Sequence, residues 1–184
     1  MRKAGWYVIQ VQTGKEQAMC QLIERLCAEA DLQSDADGAR LLEECFSPRF
    51  KTRHKFKGEW QDVEKLLLPG YVIAATTRPD ALNLELRKVR ELTKLLAVGE
   101  TFVPLHEDER TWIETFTREG DRTVPMSIAY KEGDTLVVTE GPLKGREALI
   151  TRVNRRQCLA EVEIHAGQLT IRTTVGLAVL PGEM

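Results

Sequence analysis

The stretch GPLKGREALITRVNRR, residues 141–156, decides between the phosphate-binding loop of an enzyme and a turn in a β-rich domain. A Walker loop follows the pattern G-x-x-x-x-G-K-[ST] and joins a strand to a helix. Here Lys144 precedes Gly145, Arg146 follows it, and β-prone runs lie on both sides. Pro142 suits the second position of a β-turn because its ring fixes φ near the required value. The stretch therefore predicts a turn between strands.

The same stretch carries a dense positive charge, with Glu147 as its single acid between residues 144 and 156. Residues of equal parity share one face of a strand, so Arg146 and Arg152 are expected to point the same way. A ridge that contacts a phosphate backbone is one interpretation, and a solvated strand face is the other. The candidate nucleic-acid-binding residues are Lys144, Arg146, Arg152, Asn154, Arg155 and Arg156.

The C-terminal part of the chain, residues 132–184, is predicted to be a small β-barrel. Four short β-prone runs, TLVVT, EALITRV, LAEVEI and LTIRTT, alternate there with glycine- and asparagine-containing turns. Closely spaced short strands of this kind favour a barrel of about five strands. Residues 118–131 are polar and are predicted to link this domain to the preceding one, with room for a short strand at their end.

Residues 1–117 predict an α+β domain with the element order β-α-β-β-β-α-α. WYVIQV is a strand, and the run after it has apolar residues at helical spacing. Pro69-Gly70 is a turn before the strand YVIAA, and Pro79 begins a helix. A last helix is expected around Glu107 to Phe116. The buried stripe of the Pro79 helix is predicted to comprise Leu82, Leu86, Val89 and Leu92. The expected architecture is a mainly antiparallel sheet flanked by helices.

A second basic stretch, residues 49–57, alternates cations with Phe50, Thr52, His54 and Phe56. Alternation places the cations on one strand face and the other side chains on the opposite face. A half-buried hairpin without further function would have this pattern, and so would an arm that contacts nucleic acid. The cations of this candidate arm are Arg49, Lys51, Arg53, Lys55 and Lys57.

The apolar and aromatic residues at positions 6–7 and 68–71 have two interpretations: they form the core of the sheet, or they form an exposed surface that binds a partner. Trp6 and Tyr7 have opposite parity, so at least one of them is expected in the core. Tyr71 and Leu68 are the favoured contact residues. The full candidate set is Trp6, Tyr7, Leu68, Pro69, Gly70 and Tyr71.

Composition excludes several classes of protein. Hydrophobic residues make up 42% and charged residues 29%, which is typical of a folded globular chain, and the formal net charge is −2. The four cysteines form no C-x-x-C pair, the three histidines stand at no catalytic or metal-ligand spacing, and no nucleotide fingerprint is present. We therefore expect a non-enzymatic, monomeric, cytoplasmic protein without metal, cofactor or membrane contact.

Four motifs occur in a telling order: WYVIQVQTGKE, LLPGYV, VPL before a helix, and EGDTLVVTEGPLKGREALI. Together they resemble the NusG family of transcription elongation factors, in which an NGN domain precedes an SH3-like KOW barrel. GPLKGREALI, RVNRR and VGLAVL are most similar to the specialised LoaP branch of that family. Two positions depart from the family pattern: Ala148 replaces a usual glycine, and Leu68 replaces a frequent phenylalanine.

The resemblance implies an antitermination factor. Its NGN domain would dock on the clamp helices of the RNA polymerase β′ subunit through the apolar and aromatic set. Its KOW domain would bind an RNA hairpin in the nascent transcript, and the arm would touch upstream DNA or exiting RNA. Two alternatives remain open. The first is a general NusG-type elongation factor whose KOW domain binds proteins, such as a ribosomal subunit or a termination factor. The second is a translation-side RNA-binding module, because KOW barrels also occur in ribosomal proteins.

Overall fold

The computed structural model describes residues 3–33, 40–89, 94–95, 97–98, 101–102 and 104–181. Within these ranges the helices are α1 (Glu16–Gln33), α2 (Pro79–Leu86) and α3 (Glu107–Phe116). The first eight strands are β1 (Gly5–Gln10), β2 (Glu44–Phe46), β3 (Arg49–Phe56), β4 (Glu59–Leu66), β5 (Tyr71–Thr76), β6 (Lys94–Leu95), β7 (Ala97–Val98) and β8 (Thr101–Phe102). The others are β9 (Thr123–Val124), β10 (Ser127–Glu132), β11 (Thr135–Glu140), β12 (Arg152–Asn154), β13 (Leu159–Ala166) and β14 (Leu169–Leu180). The mixed α+β class expected from the sequence is confirmed.

The chain forms two compact units that each draw on several segments. The first unit comprises residues 1–47, 68–110 and 165–169, and the second comprises residues 48–67, 111–164 and 170–184. These units alternate along the chain, whereas the predicted boundaries at 117 and 132 follow chain order. The division into residues 1–117, 118–131 and 132–184 stays a prediction.

The first unit is built on an antiparallel sheet of order β2-β5-β1-β6. β1 pairs with β5 over its full length, with Trp6 opposite Ala75. The helix α1 turns Met19, Ile23 and Cys27 inward because they recur at helical spacing. These side chains form one hydrophobic core with residues of β5 and α2. Leu82 and Leu86 of α2 are buried in it as predicted, and partly buried Val89 packs against it. Leu92 lies outside the described residues.

The second unit contains a three-stranded sheet of order β4-β3-β9 and most of a five-stranded sheet of order β11-β10-β14-β13-β12. Four strands of this sheet, β11 to β14, lie within residues 132–184, where about five were predicted. β10, at Ser127–Glu132, pairs with β11 on one side and with β14 in parallel on the other. The predicted linker thus ends in a central strand of this sheet.

The run EALITRV is not the single strand that its β-prone residues predict. Glu147–Leu149 form a 3₁₀ turn, and only Arg152–Asn154 are extended, as β12. The amide of Leu149 donates to the carbonyl of Arg146 at 2.9 Å, and the amide of Ile150 donates to Glu147 at 3.0 Å. Such i to i+3 bonds tighten the backbone locally. Arg146 and Arg152 consequently do not share one strand face, which corrects the parity prediction.

Candidate nucleic-acid interface

The β3–β4 hairpin displays the basic stretch of residues 49–57. Its strands pair in register from Arg49 opposite Leu66 to Phe56 opposite Glu59, closed by a turn in which Lys57 and Gly58 have φ of 49° and 91°. The expected alternation is observed at the base of β3, where Phe50 and Thr52 are buried. The strand cations Arg49, Lys51, Arg53 and Lys55 are all exposed.

Acidic residues on β4 neutralise part of this charge. Arg49 Nε lies 3.4 Å from Glu64 Oε2, and Arg53 Nε lies 2.6 Å from Asp62 Oδ1. Lys51 and Lys55 have no ion pair within the described part of the chain. Residues 49–66 contain six lysines and arginines and three acids, so the hairpin is positive although the whole chain is not. A positive local field of this kind attracts phosphates.

The hairpin tip adds two aromatic side chains that are not among the site residues predicted from the sequence. Phe56 and Trp60 are each 51% exposed. The Nζ of Lys57 lies 5.5 Å from the centre of the Phe56 ring. Trp60 faces Lys55 across the ladder and therefore shares the cationic face, while Phe56 lies on the other face. The pattern of WQDVE alone is too weak a signal to reveal this, because the pairing of Trp60 with a cation depends on the strand register.

The GPLKG turn is a rigid support that presents Lys144. Pro142 and Leu143 are buried, the amide of Leu143 donates to Ser127 Oγ at 3.0 Å, and Trp112 Nε1 donates to the Pro142 carbonyl at 2.8 Å. Lys144 is exposed next to these anchors. Its own amide donates to the carbonyl of Gly141 at 3.1 Å, and these bonds within the fold agree with a structural turn.

The turn after β12 presents Arg155 and Arg156 to solvent. Asn154 holds this turn: its Oδ1 accepts from the amide of Gln157 at 3.2 Å, and its Nδ2 donates to the Gln157 side chain at 3.0 Å. The side-chain amide of Asn154 is thus occupied locally, so base contact would require those bonds to exchange. Arg152 lies on β12 itself, with Nη1 3.7 Å from Glu161 Oε1.

A contact joins β3 to the end of this turn. Thr52 Oγ1 donates to the carbonyl of Cys158 at 2.8 Å and lies 3.4 Å from that of Gln157. Burial raises the pKa of the Cys158 thiol, and the positive charge of Arg53 opposes this rise. The guanidinium of Arg53 therefore lies close enough to the turn to act on it electrostatically. The turn contacts β3 on the Thr52 face, whereas the four strand cations lie on the opposite face.

The apolar and aromatic set divides between interior and surface. Trp6 is 3% exposed, with its ring edge-on to Phe46 at 5.0 Å, and Leu68 is fully buried. Tyr7 and Tyr71 are half-buried, and Pro69 is exposed. Leu68, favoured from the sequence as a contact residue, is an interior residue in this structure because the strand that follows enters the core there. The contact role of the set stays a prediction, and its accessible members are Tyr7, Pro69 and Tyr71.

Glu16 fixes the turn that carries Pro69 and Gly70. Its carboxylate is buried and accepts the amide of Gly70 at 2.8 Å and that of Gly14 at 2.9 Å. Burial alone would raise the pKa of Glu16, but the backbone hydrogen bonds outweigh it and lower the pKa. Gly70 has φ of 80°, which favours glycine at this position.

The described residues lack the features of two other kinds of site. No group of three or more His, Cys, Asp or Glu side chains there is arranged to hold a metal ion. No helix in the same ranges is long and apolar enough to cross a bilayer.

Comparison with known proteins identifies the family. The model of the family "Transcription termination factor nusG" matches residues 4–114. A termination/antitermination protein NusG of Campylobacter jejuni is 25% identical over 162 residues, which cover 86% of each chain. That of Lactococcus lactis is 28% identical over 158 residues, 82% of this chain and 78% of the relative. A Thermotoga maritima NusG structure, solved for its domain interaction, has the same fold with a TM-score of 0.55 at 19% identity, and covers 96% of this chain and 94% of that one. Since the family model spans more than half of the sequence, this chain belongs to the NusG family of transcription termination and antitermination factors.

Proposed function

We propose that this protein is a LoaP-type antitermination factor that binds an RNA hairpin in the nascent transcript and docks on RNA polymerase. The observation that carries the RNA part is the Thr52–Cys158 contact, which seats the Arg155–Arg156 turn against the strand whose opposite face carries the arm cations. Opposite charge makes a phosphate backbone the natural ligand of such a region. The major groove of regular A-form RNA is too narrow for side chains, so the hairpin should contain a bulge, a loop or a widened groove.

Polymerase docking would use a different set of residues. Exposed Pro69 and half-buried Tyr71 supply a small apolar and aromatic surface beside the turn that Glu16 holds, whereas half-buried Tyr7 lies on the opposite face of the β1–β5 pair. Aromatic side chains with partial exposure are well suited to anchoring a helical partner in a groove. The clamp helices of the β′ subunit are the expected partner, and the arm cations would lie near upstream DNA or exiting RNA.

Two-site attachment explains how antitermination would follow. RNA binding tethers the N-terminal domain near polymerase and raises its effective concentration there. Preferential binding to the closed clamp then shifts polymerase away from the paused and terminating conformations. No covalent chemistry is required of the protein.

A general NusG-type elongation factor is the second candidate. The curated relatives favour it, because those quoted above carry the broader description of termination/antitermination protein. Such a factor would bind proteins through its C-terminal domain and would show no preference for a particular RNA hairpin.

Selection of RNA from a random pool by the full chain separates the two candidates. We expect enrichment of one irregular hairpin. The double variant R155A/R156A should then weaken binding and reduce the slope of log K against log salt by about 1.4 to 1.8, since each lost phosphate contact removes roughly 0.7 to 0.9. Arg172→Ala is the matched control, because this cation of the second unit is exposed and lies outside the predicted site. If R155A/R156A binds the selected hairpin as tightly as the wild type does, the assignment of Arg155 and Arg156 to RNA binding is overturned.

A further inference from the structure

Trp60 is a large aromatic residue at the tip of the β3–β4 hairpin, with half of its surface exposed. Trp60 is not among the buried core residues of the described part of the chain, so its exposed ring surface is accessible to a partner. Its cross-strand neighbour Lys55 and the neighbouring Lys51 have no ion pair within the described ranges. An exposed aromatic ring among such cations is the arrangement by which proteins hold single-stranded nucleic acid, with stacking for bases and cations for phosphates.

The hairpin tip lies a few residues beyond the point where β3 contacts the proposed RNA-binding turn. The turn after β12 contacts β3 at Thr52, and Lys55 follows three residues later on the opposite face of the strand. At about 3.3 Å per residue, the distance along the strand is about 10 Å. A strand of RNA that leaves a hairpin held at the turn would therefore reach Lys55 and Trp60 within a few nucleotides by passing around the edge of the β3–β4 hairpin.

We propose that the Trp60 face of the hairpin binds the single-stranded RNA that flanks the nascent hairpin, with Trp60 as the stacking platform for one base. Lys51 and Lys55 contact the phosphates on either side of that base. This inference rests on the proposed function, because the hairpin at the basic turn is what delivers the single-stranded flank. The recognised RNA is then a composite of an irregular hairpin and a short tail.

Full-length protein and the selected hairpin test this directly, with the hairpin made blunt or extended by about six unpaired nucleotides at its 5′ or 3′ end. One of the two tails should tighten binding by roughly 5- to 150-fold, the range expected for stacking of one base. Trp60→Ala should abolish that gain and leave the blunt hairpin unaffected. Trp60→Phe should restore most of it. Phe56→Ala is the matched control, because Phe56 is equally exposed at the same tip on the opposite face.

The outcomes separate this inference from the function on which it rests. Binding of the blunt hairpin with no gain from either tail, or with a gain that Trp60→Ala preserves, overturns the inference and leaves the proposed function intact. If Trp60→Ala and Phe56→Ala reduce the affinity gained from the tail equally, the assignment of the tail to the cationic face is overturned. Trp60-dependent binding of unpaired RNA without any preference for a hairpin contradicts the proposed function while supporting the stacking platform. If free single-stranded DNA competes for the Trp60 face more strongly than the tailed RNA does, the ligand of this face is DNA, and its assignment to RNA is overturned.

Discussion

Replacement of Glu16 by alanine should destabilise the protein more than the substitution of a single charged residue usually does. Glu16 is 3% exposed, and its carboxylate accepts hydrogen bonds from the backbone amides of Gly70 and Gly14, of which the Gly70 amide is buried. Hydrogen bonds to a charged group contribute about 1.5–3 kcal/mol each, and the partly exposed Gly14 amide can regain one from water. We expect a loss of about 3 kcal/mol in the free energy of unfolding for Glu16→Ala, and about 1.5 kcal/mol for Glu16→Gln, which keeps one acceptor oxygen.

Urea unfolding at pH 7, followed by circular dichroism, measures these losses as shifts in midpoint at constant slope. A chain of this length should also lose about 6–12 °C in Tm for Glu16→Ala. Glu29→Ala is the control, because Glu29 lies on the same helix with its side chain exposed, and it should change stability by less than about 0.5 kcal/mol.

The pH dependence of the same variants provides a second test. The folded-state pKa of Glu16 is lowered from its ordinary value of 4.5. The stability that the ionised Glu16 carboxylate contributes is therefore fully present above pH 4.5, and it is lost as the pH falls through the pKa of the folded state. The stability difference between the wild type and Glu16→Gln should shrink in that acid range. A loss below about 1 kcal/mol for Glu16→Ala at pH 7, or a difference that does not depend on acid pH, would refute the role assigned to this carboxylate.

Two substitutions test the GPLKG turn. Gly141→Ala should destabilise the protein by about 2 kcal/mol or more, because φ is 91° and an added Cβ would stand 2.6 Å from the Cα of Ser127. Chemical denaturation measures this change, and an unchanged free energy of unfolding would contradict the close approach of the two backbones. Trp112→Phe removes the donor to the Pro142 carbonyl at 2.8 Å and should cost about 1–2 kcal/mol in thermal unfolding, whereas an unchanged Tm would show that this bond is replaced by water.

Local pattern is sufficient to predict the hairpin that carries the arm. Strict alternation from Arg49 to Lys55 predicts which side chains face solvent, and Lys57-Gly58 is a clear turn signal. Helix α3 is also evident from its sequence. These features depend on neighbours within a few residues, which is the range over which periodicity carries information.

Features set by distant contacts could not be predicted in this way. Leu68 precedes an aromatic strand and is favoured for the surface by its sequence, but the fold buries it fully. Arg146 lacks the expected strand neighbour because 3₁₀ hydrogen bonds replace the ladder between residues 146 and 150. Thr52 contacts Cys158 across 106 residues of sequence, and no local pattern reveals that this contact places the Arg155–Arg156 turn against β3.

Read-through of a terminator in purified transcription reactions, on templates with and without the selected hairpin upstream, is the decisive assay of hairpin-dependent antitermination. We expect the wild-type protein to increase read-through only on the template that encodes the hairpin, and R155A/R156A to remove this increase. An equal increase on both templates, or an increase that R155A/R156A preserves, would show that the basic turn does not recruit the protein through RNA.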